Sequence, residues 1–539
     1  MSTQLPDLPA EVLDIIVGFV ARSHQSILAL RRTCSVFYQV ASRYHYEVLV
    51  LQSGPSGPRH LDSLFIDKYR NTSRVKSIRV VPSPSTEGRV QSLGSRRCTD
   101  VTRINGLTFN NLEAIRIMSP GLLDAKQLSK YLGRWRHIKQ LTLSLSLRLS
   151  QNRDFRRNIR RLDSLSCLEF EIHWPMSQDY YKMDVSPMWD AVKNNAATLR
   201  CIRVNLVHWD TPRRNEFLPD GTSKVSPRNT AFMNGMLNFV DIGSSTTRPI
   251  RLRVLFPIDY DQWPENFNAL QILQLGWTLL STENPFSTEG RLFRTENLEI
   301  LSLIECHHAS SLLEDLSWQF SSLRCLQAVS SVRSHAMERI LARLKPLSAL
   351  YLSPIAADYR PLLSGSLANH RNSLRVLWVE NLGSGLAGSI AFLDFTHFSN
   401  LEELAVSTKI TLHLYYLRPP SSLKCLRFIA QGTPCGKLPG NIFYRWIKTY
   451  AIGQLGPSKV GIPKLQVLYI DAGFSIANIS APIILATEYD TSLPNETGDV
   501  ILDTNSINEA EMREKYSHFS ILGSEADPNM AWRWIEKFM

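Results

Sequence analysis

The sequence lacks any run of about 18 apolar residues, the length a helix needs to cross a bilayer, so no membrane span is expected. Its eight cysteines include no Cys-x-x-Cys pair, which removes the commonest zinc and dithiol spacings. There is no Gly-x-x-x-x-Gly-Lys loop, no Gly-x-Ser-x-Gly elbow and no His-Glu-x-x-His helix, so phosphate cradles, serine nucleophiles and zincin centres find no support. The pair His307-His308 has no ligand partners at metal spacing. No catalytic residue, metal or cofactor is expected, and the chain reads as a non-enzyme. Asp7, Glu11 and Asp14 interrupt the first apolar stretch, so no secretory signal is expected. Unpaired cysteines then point to a reducing compartment, cytoplasm or nucleus.

What is present is globular in composition. Of 539 residues, 44% are hydrophobic and 20% charged, enough for a core but spread over a chain too long for one compact domain. The net charge of +11 is uneven. Residues 488–539 hold 11 acidic and 4 basic side chains, which is −7, so the preceding residues carry +18. A basic body with an acidic end can attract acidic partners, or the tail can fold back on the body.

The N-terminal 50 residues carry helical periodicity. Pro9 suits a first helical turn, where a missing N–H costs nothing, and Glu11 favours the same turn through the helix dipole. Val12, Leu13, Ile15, Ile16, Phe19 and Val20 follow at helical spacing,. Ile27, Leu28 and Leu30 mark a second short helix. Val36, Phe37, Val40, Ala41 and Tyr44 mark a third. Three such helices expose more apolar surface than they can bury alone, which calls for a partner. The residues Leu8-Pro9-x-Glu11-Val12-Leu13-x-x-Ile16 and Leu28-x-Leu30-Arg31-x-Thr33-Cys34-x-x-Phe37 resemble the F-box over residues 5–50. The tryptophan that many members carry after the third helix is replaced by Tyr44-His45-Tyr46. The resemblance implies docking to a Skp-family adaptor and, through it, to a cullin scaffold. Leu8, Pro9, Val12, Leu13 and Ile16 would enter the adaptor groove. Leu30, Cys34 and Phe37 would pack the module and its rim.

The rest of the chain repeats. Units of the form Leu-x-x-Leu-x-Leu begin at Leu112, Ile138, Leu165, Leu199, Leu270, Leu298, Leu323, Leu347, Leu374, Leu401, Leu423 and Leu465. Most are 22–34 residues apart, with a gap of 71 after Leu199 and one of 42 before Leu465. The first gap is expected to hide a strand near Ile250–Phe256, and Val75–Val81 is expected to be an opening strand. Such a period predicts a parallel solenoid, with positions four and six inward and positions three, five and seven outward. Return segments at Asp124–Trp135, Ser311–Phe320 and Ser334–Leu344 read as helices, the last capped by Ser334 and ended by Pro346. Cys167, Cys201, Cys325 and Cys425 all fall at position three, as small apolar side chains at one level of a stack. The units resemble degenerate leucine-rich repeats over residues 75–475. Only Cys306 keeps the Asn/Cys slot that hydrogen-bonds the family's turn, so the other turns must be satisfied differently. An F-box-linked repeat protein of fungal type is the nearest likeness.

The expected architecture is therefore α/β: a three-helix F-box (1–50), a linker with an opening strand (51–110), a curved leucine-rich-repeat-like solenoid with parallel strands (111–475, with an insertion at 209–250), and an acidic C-terminal segment (476–539) ending in a helix at Ala531–Met539. Its reader face is expected at the exposed position five of each unit. Arg116, Arg203, Tyr351, Trp378, Arg427 and Tyr469 are the candidate substrate-binding residues, since aromatics and arginines dominate interface energetics. The run Arg148, Arg153, Arg156, Arg157, Arg160 and Arg161 reads as a solvated return segment, because aromatic interleaving is nearly absent; nucleic acid is not expected as a partner. Together these features imply a substrate-recognition subunit of a Skp–cullin–F-box ubiquitin ligase, holding a protein target whose identity is not encoded legibly. The alternative is a repeat scaffold that binds protein or RNA without a ligase.

Overall fold

The structure is a computed structural model. It describes residues 9, 12–13, 16–17, 29–52, 72–81, 107–117, 125–145, 149, 152–174, 186–208, 267–276, 295–304, 306, 309–317, 319–329, 332–353, 364–379, 395–407, 419–429, 465–470, 483–486, 516 and 518–522. Leu8, the expected strand near Ile250–Phe256, the insertion at 209–250 and the terminal helix Ala531–Met539 lie outside the described residues. The chain divides into two compact units, Met1–Val207 with Asp259–Ala269 and His208–Ile258 with Leu270–Met539.

The first unit starts with helical backbone at Val12–Leu13, Ile16–Val17 and Ala29–Leu30, followed by α1 (Ser35–Glu47). Its strands are β1 (Val48–Gln52), β2 (Ser77–Val81), β3 (Ala114–Ile117), β4 (Gln140–Leu145), β5 (Cys167–Trp174) and β6 (Cys201–His208), which lie side by side in chain order. Pairing from β1 to β5 is parallel. The strand β1 follows α1 without a break, so a rung Tyr46-x-x-Leu49-x-Leu51 precedes the opening strand that the periodicity predicts. Three helices fill the return segments: α2 (Ala125–Arg134), α3 (Arg153–Ile159) and α4 (Ser186–Asn194). Arg153, Arg156 and Arg157 of the arginine-rich run thus lie on a short helix. Asn152 caps it by accepting from Phe155 N at 2.9 Å, and Phe155 and Ile159 anchor it inward.

In the second unit β7 (Ile272–Gly276), β8 (Ile300–Ile304), β9 (Cys325–Val329), β10 (Ala349–Ser353), β11 (Val376–Val379), β12 (Glu403–Ser407), β13 (Cys425–Ile429) and β14 (Val467–Ile470) again follow chain order, all parallel. Strand β15 (Ile483–Ala486) pairs antiparallel to β14. Two helices, α5 (Ala309–Leu316) and α6 (Ser334–Arg343), run along the return side. Ser334 does not cap α6: Arg333 holds that place without a side-chain bond. The Arg333 N–H instead donates to Ser310 Oγ of α5 at 3.1 Å, so the neighbouring repeat satisfies that orphan donor,.

The register explains the period. Position-four residues align rung to rung, as in Leu301, Leu326, Leu350, Leu377, Leu404 and Leu426, and all are buried. Position six is equally buried at Leu275, Leu303, Ala328, Leu352, Val379 and Val406. Because side chains alternate along a strand, each of these rungs delivers two apolar residues to the core of the second unit. The carbonyl at position two closes each rung: the Glu402 oxygen, for example, accepts from Lys424 N at 2.8 Å and from Cys425 N at 3.0 Å.

The turns use their own chemistry. Cys306 behaves as expected, its Sγ donating to Leu275 O of the preceding rung at 3.2 Å. Elsewhere the residue just before position one supplies a hydroxyl. Thr198, Ser373 and Ser422 donate to the position-one carbonyls of Leu165, Leu347 and Leu401 at 2.7, 2.8 and 2.8 Å. Four residues before position one, Asn195 and His370 play equivalent parts. Asn195 Oδ1 accepts from Leu165 N at 2.8 Å while Nδ2 donates to Leu162 O at 2.8 Å. His370 Nδ1 accepts from Leu347 N at 3.1 Å and Nε2 lies 3.0 Å from Leu341 O. An imidazole that accepts at one nitrogen is neutral, with its proton on the other.

Candidate functional site

The N-terminal module splits its apolar residues between two faces. Leu13 and Val17, four apart on one helical face, are buried with Phe37 and Ala41, and Leu30, Cys34 and Val40 pack against them. Leu13 is 2% exposed, so it belongs to the module's own core and not to its open surface. Val12, also helical, is 38% exposed, Pro9 is exposed, and Ile16 is half-buried. Pro9 opens the helix through its carbonyl, which accepts from Val12 N and Leu13 N at 3.0 Å each. Of the candidate adaptor-binding residues, Pro9, Val12 and Ile16 therefore lie on the accessible side, while Leu13, Leu30 and Phe37 hold the module together. Val36 and Tyr38 are also exposed, with the Arg31 guanidinium over the Tyr38 ring at 5.0 Å.

The repeat residues fall into two groups. In the first unit, Arg116 donates to Gln140 Oε1 at 3.2 Å. Arg203 pairs with Glu169 at 2.5 Å, and Thr142 Oγ1 donates to the same carboxylate at 3.2 Å. Arg203 and Glu169 are buried, so this trio is a ladder spanning three adjacent rungs. The second group is a continuous site. Tyr351, Trp378, Ala405, Arg427 and Tyr469 stand in register on five successive strands, β10 to β14. Tyr351 stacks on Trp378 with ring centroids 4.9 Å apart. The Arg427 guanidinium lies 5.0 Å from the Trp378 centroid and 4.9 Å from that of Tyr469. Ala405 makes this possible: a larger side chain between β11 and β13 would block the arginine's path to the tryptophan.

The expectation that position five is exposed is overturned. Trp378 is 0% and Arg427 4% exposed, and Tyr351, Ala405 and Tyr469 are buried too, as are Gln274 and Ser302. What covers the centre of the row is a 3-10 turn, Ser520–Leu522, which packs on β11, β12 and β13. Arg427 Nη1 donates to Ile521 O at 2.8 Å. Glu403, 1% exposed, accepts three bonds through Oε2: from Ser520 N at 2.8 Å, Ser520 Oγ at 2.7 Å and Ile521 N at 3.2 Å. A guanidinium thus holds a main-chain carbonyl while a carboxylate holds the adjacent N–H groups. Charge-assisted bonds of this kind are about twice as strong as neutral ones.

Composition and periodicity missed Glu403, Ser520 and Ile521. One signal was available. Position three is otherwise small or apolar across these rungs, at Cys325, Ala349, Val376, Cys425 and Val467, and Glu403 alone breaks the row. Its partner lies 117 residues away, beyond the reach of local pattern. The position-three cysteines are packing residues. Burial pushes the Cys325 thiol up to about 12 and the Cys425 thiol higher. Cys201 is raised by its hydrogen bond with Cys167 and by burial. Protonated thiols at neutral pH are poor nucleophiles and poor ligands. Among the described residues no cluster of His, Cys, Asp or Glu is placed to hold a metal ion, and no helix is long and apolar enough to cross a membrane.

No protein-family model matches the chain, and neither does any curated protein sequence. Among solved structures, the chain is similar to one described as the crystal structure of the Rad7 and Elc1 complex in yeast, at 10% identity and a TM-score of 0.36, covering 79% of this chain and 90% of that one. The parallel repeat architecture therefore stands on the strand register itself.

Proposed function

We propose that this chain is the substrate-recognition subunit of a Skp–cullin–F-box ubiquitin ligase: its first 50 residues dock an adaptor and its repeats hold a protein target. The observation that supports this most is how the apolar residues of the N-terminal stretch are divided. Leu13 and Val17 are committed to the module's core, and Pro9, Val12 and Ile16 are left toward solvent. An apolar stripe that a small module cannot cover is a docking surface for an apolar partner groove. In this reading the chain supplies no nucleophile. It raises the concentration of the target near a charged ubiquitin carrier held by other subunits.

The test is co-purification of the full chain with a Skp-family adaptor. Val12→Asp combined with Ile16→Asp is expected to weaken capture at least about 100-fold, since two buried charges at an apolar interface cost several kcal/mol. The fold should survive, because neither residue is in the module's core. Failure of the wild-type chain to capture the adaptor, or unchanged capture by the double variant, overturns the reading. Leu13→Asp is a poor probe, because it breaks the module and not the interface alone.

A further inference from the structure

We propose that the face formed by β11 to β14 is a peptide-binding site that reads main chain, and that residues 518–522 are its resident occupant in cis. The partner it would take in trans is a peptide segment with an aromatic, an unmodified hydroxyl and an aliphatic residue in succession, as in Phe519-Ser520-Ile521. Burying a carboxylate and a guanidinium on β10 to β14, where the other residues of those two rows are apolar or aromatic, is unfavourable unless both are fully bonded,. A segment serving only to cover apolar rungs needs neither charge. Here the donors to the Glu403 carboxylate are the Ser520 N–H, the Ser520 hydroxyl and the Ile521 N–H, and Arg427 donates to the Ile521 carbonyl. Three of those four bonds are to main chain, so the pair recognises a peptide turn more than a particular set of side chains.

Side chains add the selection. Phe519 and Ile521 are buried against the face, and Tyr516 stacks near Phe519 with centroids 6.3 Å apart. The central position must donate to Glu403, which admits serine or threonine and rejects a carboxylate or a phosphate by like-charge repulsion. Arg427 is held between Trp378 and Tyr469 and donates through Nη1 to a main-chain carbonyl. The site is therefore built for a neutral turn and not for an acidic motif, whatever the positive charge of the body suggests. The inference deepens the reading of the repeat face as the target-binding surface and rests on it. It does not involve the adaptor-docking module, so its failure and a failure of adaptor capture are separate results.

The experiment uses the full chain and a fluorescein-labelled peptide spanning residues 514–524. Ser520→Glu places a second carboxylate against Glu403 and is expected to open the site. Hydrogen exchange should then speed up about tenfold or more for residues 516–522 while the amides of β10 to β14 keep their protection. The labelled peptide should bind Ser520→Glu at least about tenfold more tightly than wild type. The same peptide phosphorylated at the central serine should not compete. Ser520→Ala, which removes one of the three bonds, should lie between the two. Loss of strand protection together with the segment makes 516–522 an inseparable part of the core and overturns the proposal. So does an opened chain that fails to bind the peptide, wild type binding as tightly as the variant, or competition by the phosphorylated peptide.

Discussion

At the scale of single residues, the turn devices make the sharpest predictions. Burial lowers the His370 pKa, partly opposed by its bond to the Leu341 carbonyl. A histidine with a depressed folded pKa contributes stability that is full above the ordinary value near 6.5 and is lost as pH falls below it, because the unfolded chain takes up the proton first. Denaturant midpoints of the second unit should therefore fall between pH 7 and pH 5. His370→Asn should remove that histidine's share of the fall while keeping the fold, since Asn195 performs the same bridging with an amide. His370→Ala leaves the Leu347 N–H without its acceptor and should cost about 2–4 kcal/mol in equilibrium unfolding. Equal pH dependence in wild type and His370→Asn would refute the account. In the N-terminal module, Leu13→Ala should cost about 2–4 kcal/mol through a core cavity and Val12→Ala less than about 0.5, measured by urea unfolding.

At the scale of elements, each rung is coupled to the next through positions two, four, five and six. Glu402 shows the outermost layer: it lies 3.0 Å from both Arg375 and Lys424, on the rungs either side. Burial opposes its ionisation, but the bonds from Lys424 and Arg375 prevail and lower its pKa. Half-open pairs of this kind contribute little, about 0.2–1 kcal/mol each. Glu402→Gln should thus be a small change that shrinks further in high salt. Ala405→Leu should be a large one. It occupies the space Arg427 crosses to reach Trp378, and overpacking there should cost about 1–3 kcal/mol. The Trp378 fluorescence and the exchange of residues 516–522 should change together. A silent Ala405→Leu would show that the arginine does not need that gap.

At the scale of the whole chain, repetition spreads the core along the sequence, and the last described strand is exceptional. Strand β15 runs antiparallel to β14 where its predecessors in that unit are parallel. Strand edges are templates for unwanted pairing. Ile484→Pro places a residue that strands disfavour opposite Tyr469, and should expose part of the β14 edge. Concentration-dependent association by light scattering is the expected result, with the monomer unchanged at low concentration.

The sequence by itself determined the period, the register and the inward residues. A strand alternates its side chains, and a repeat that presents apolar residues at positions four and six has one way to bury them. Tertiary structure alone decided which side of the strands stays open. Position five of Trp378, Ala405 and Arg427 reads as outward-facing, and it is, but a turn 94 residues beyond Arg427 covers it. It also decided that Leu13 turns into the module and Val12 away from it, since a helix with apolar residues on more than one face does not specify which face its neighbours take. Local chemistry sets the elements; long-range hydrogen bonds, such as those from Ser520 and Ile521 to Glu403, are written in pairs of residues too far apart for any pattern to join.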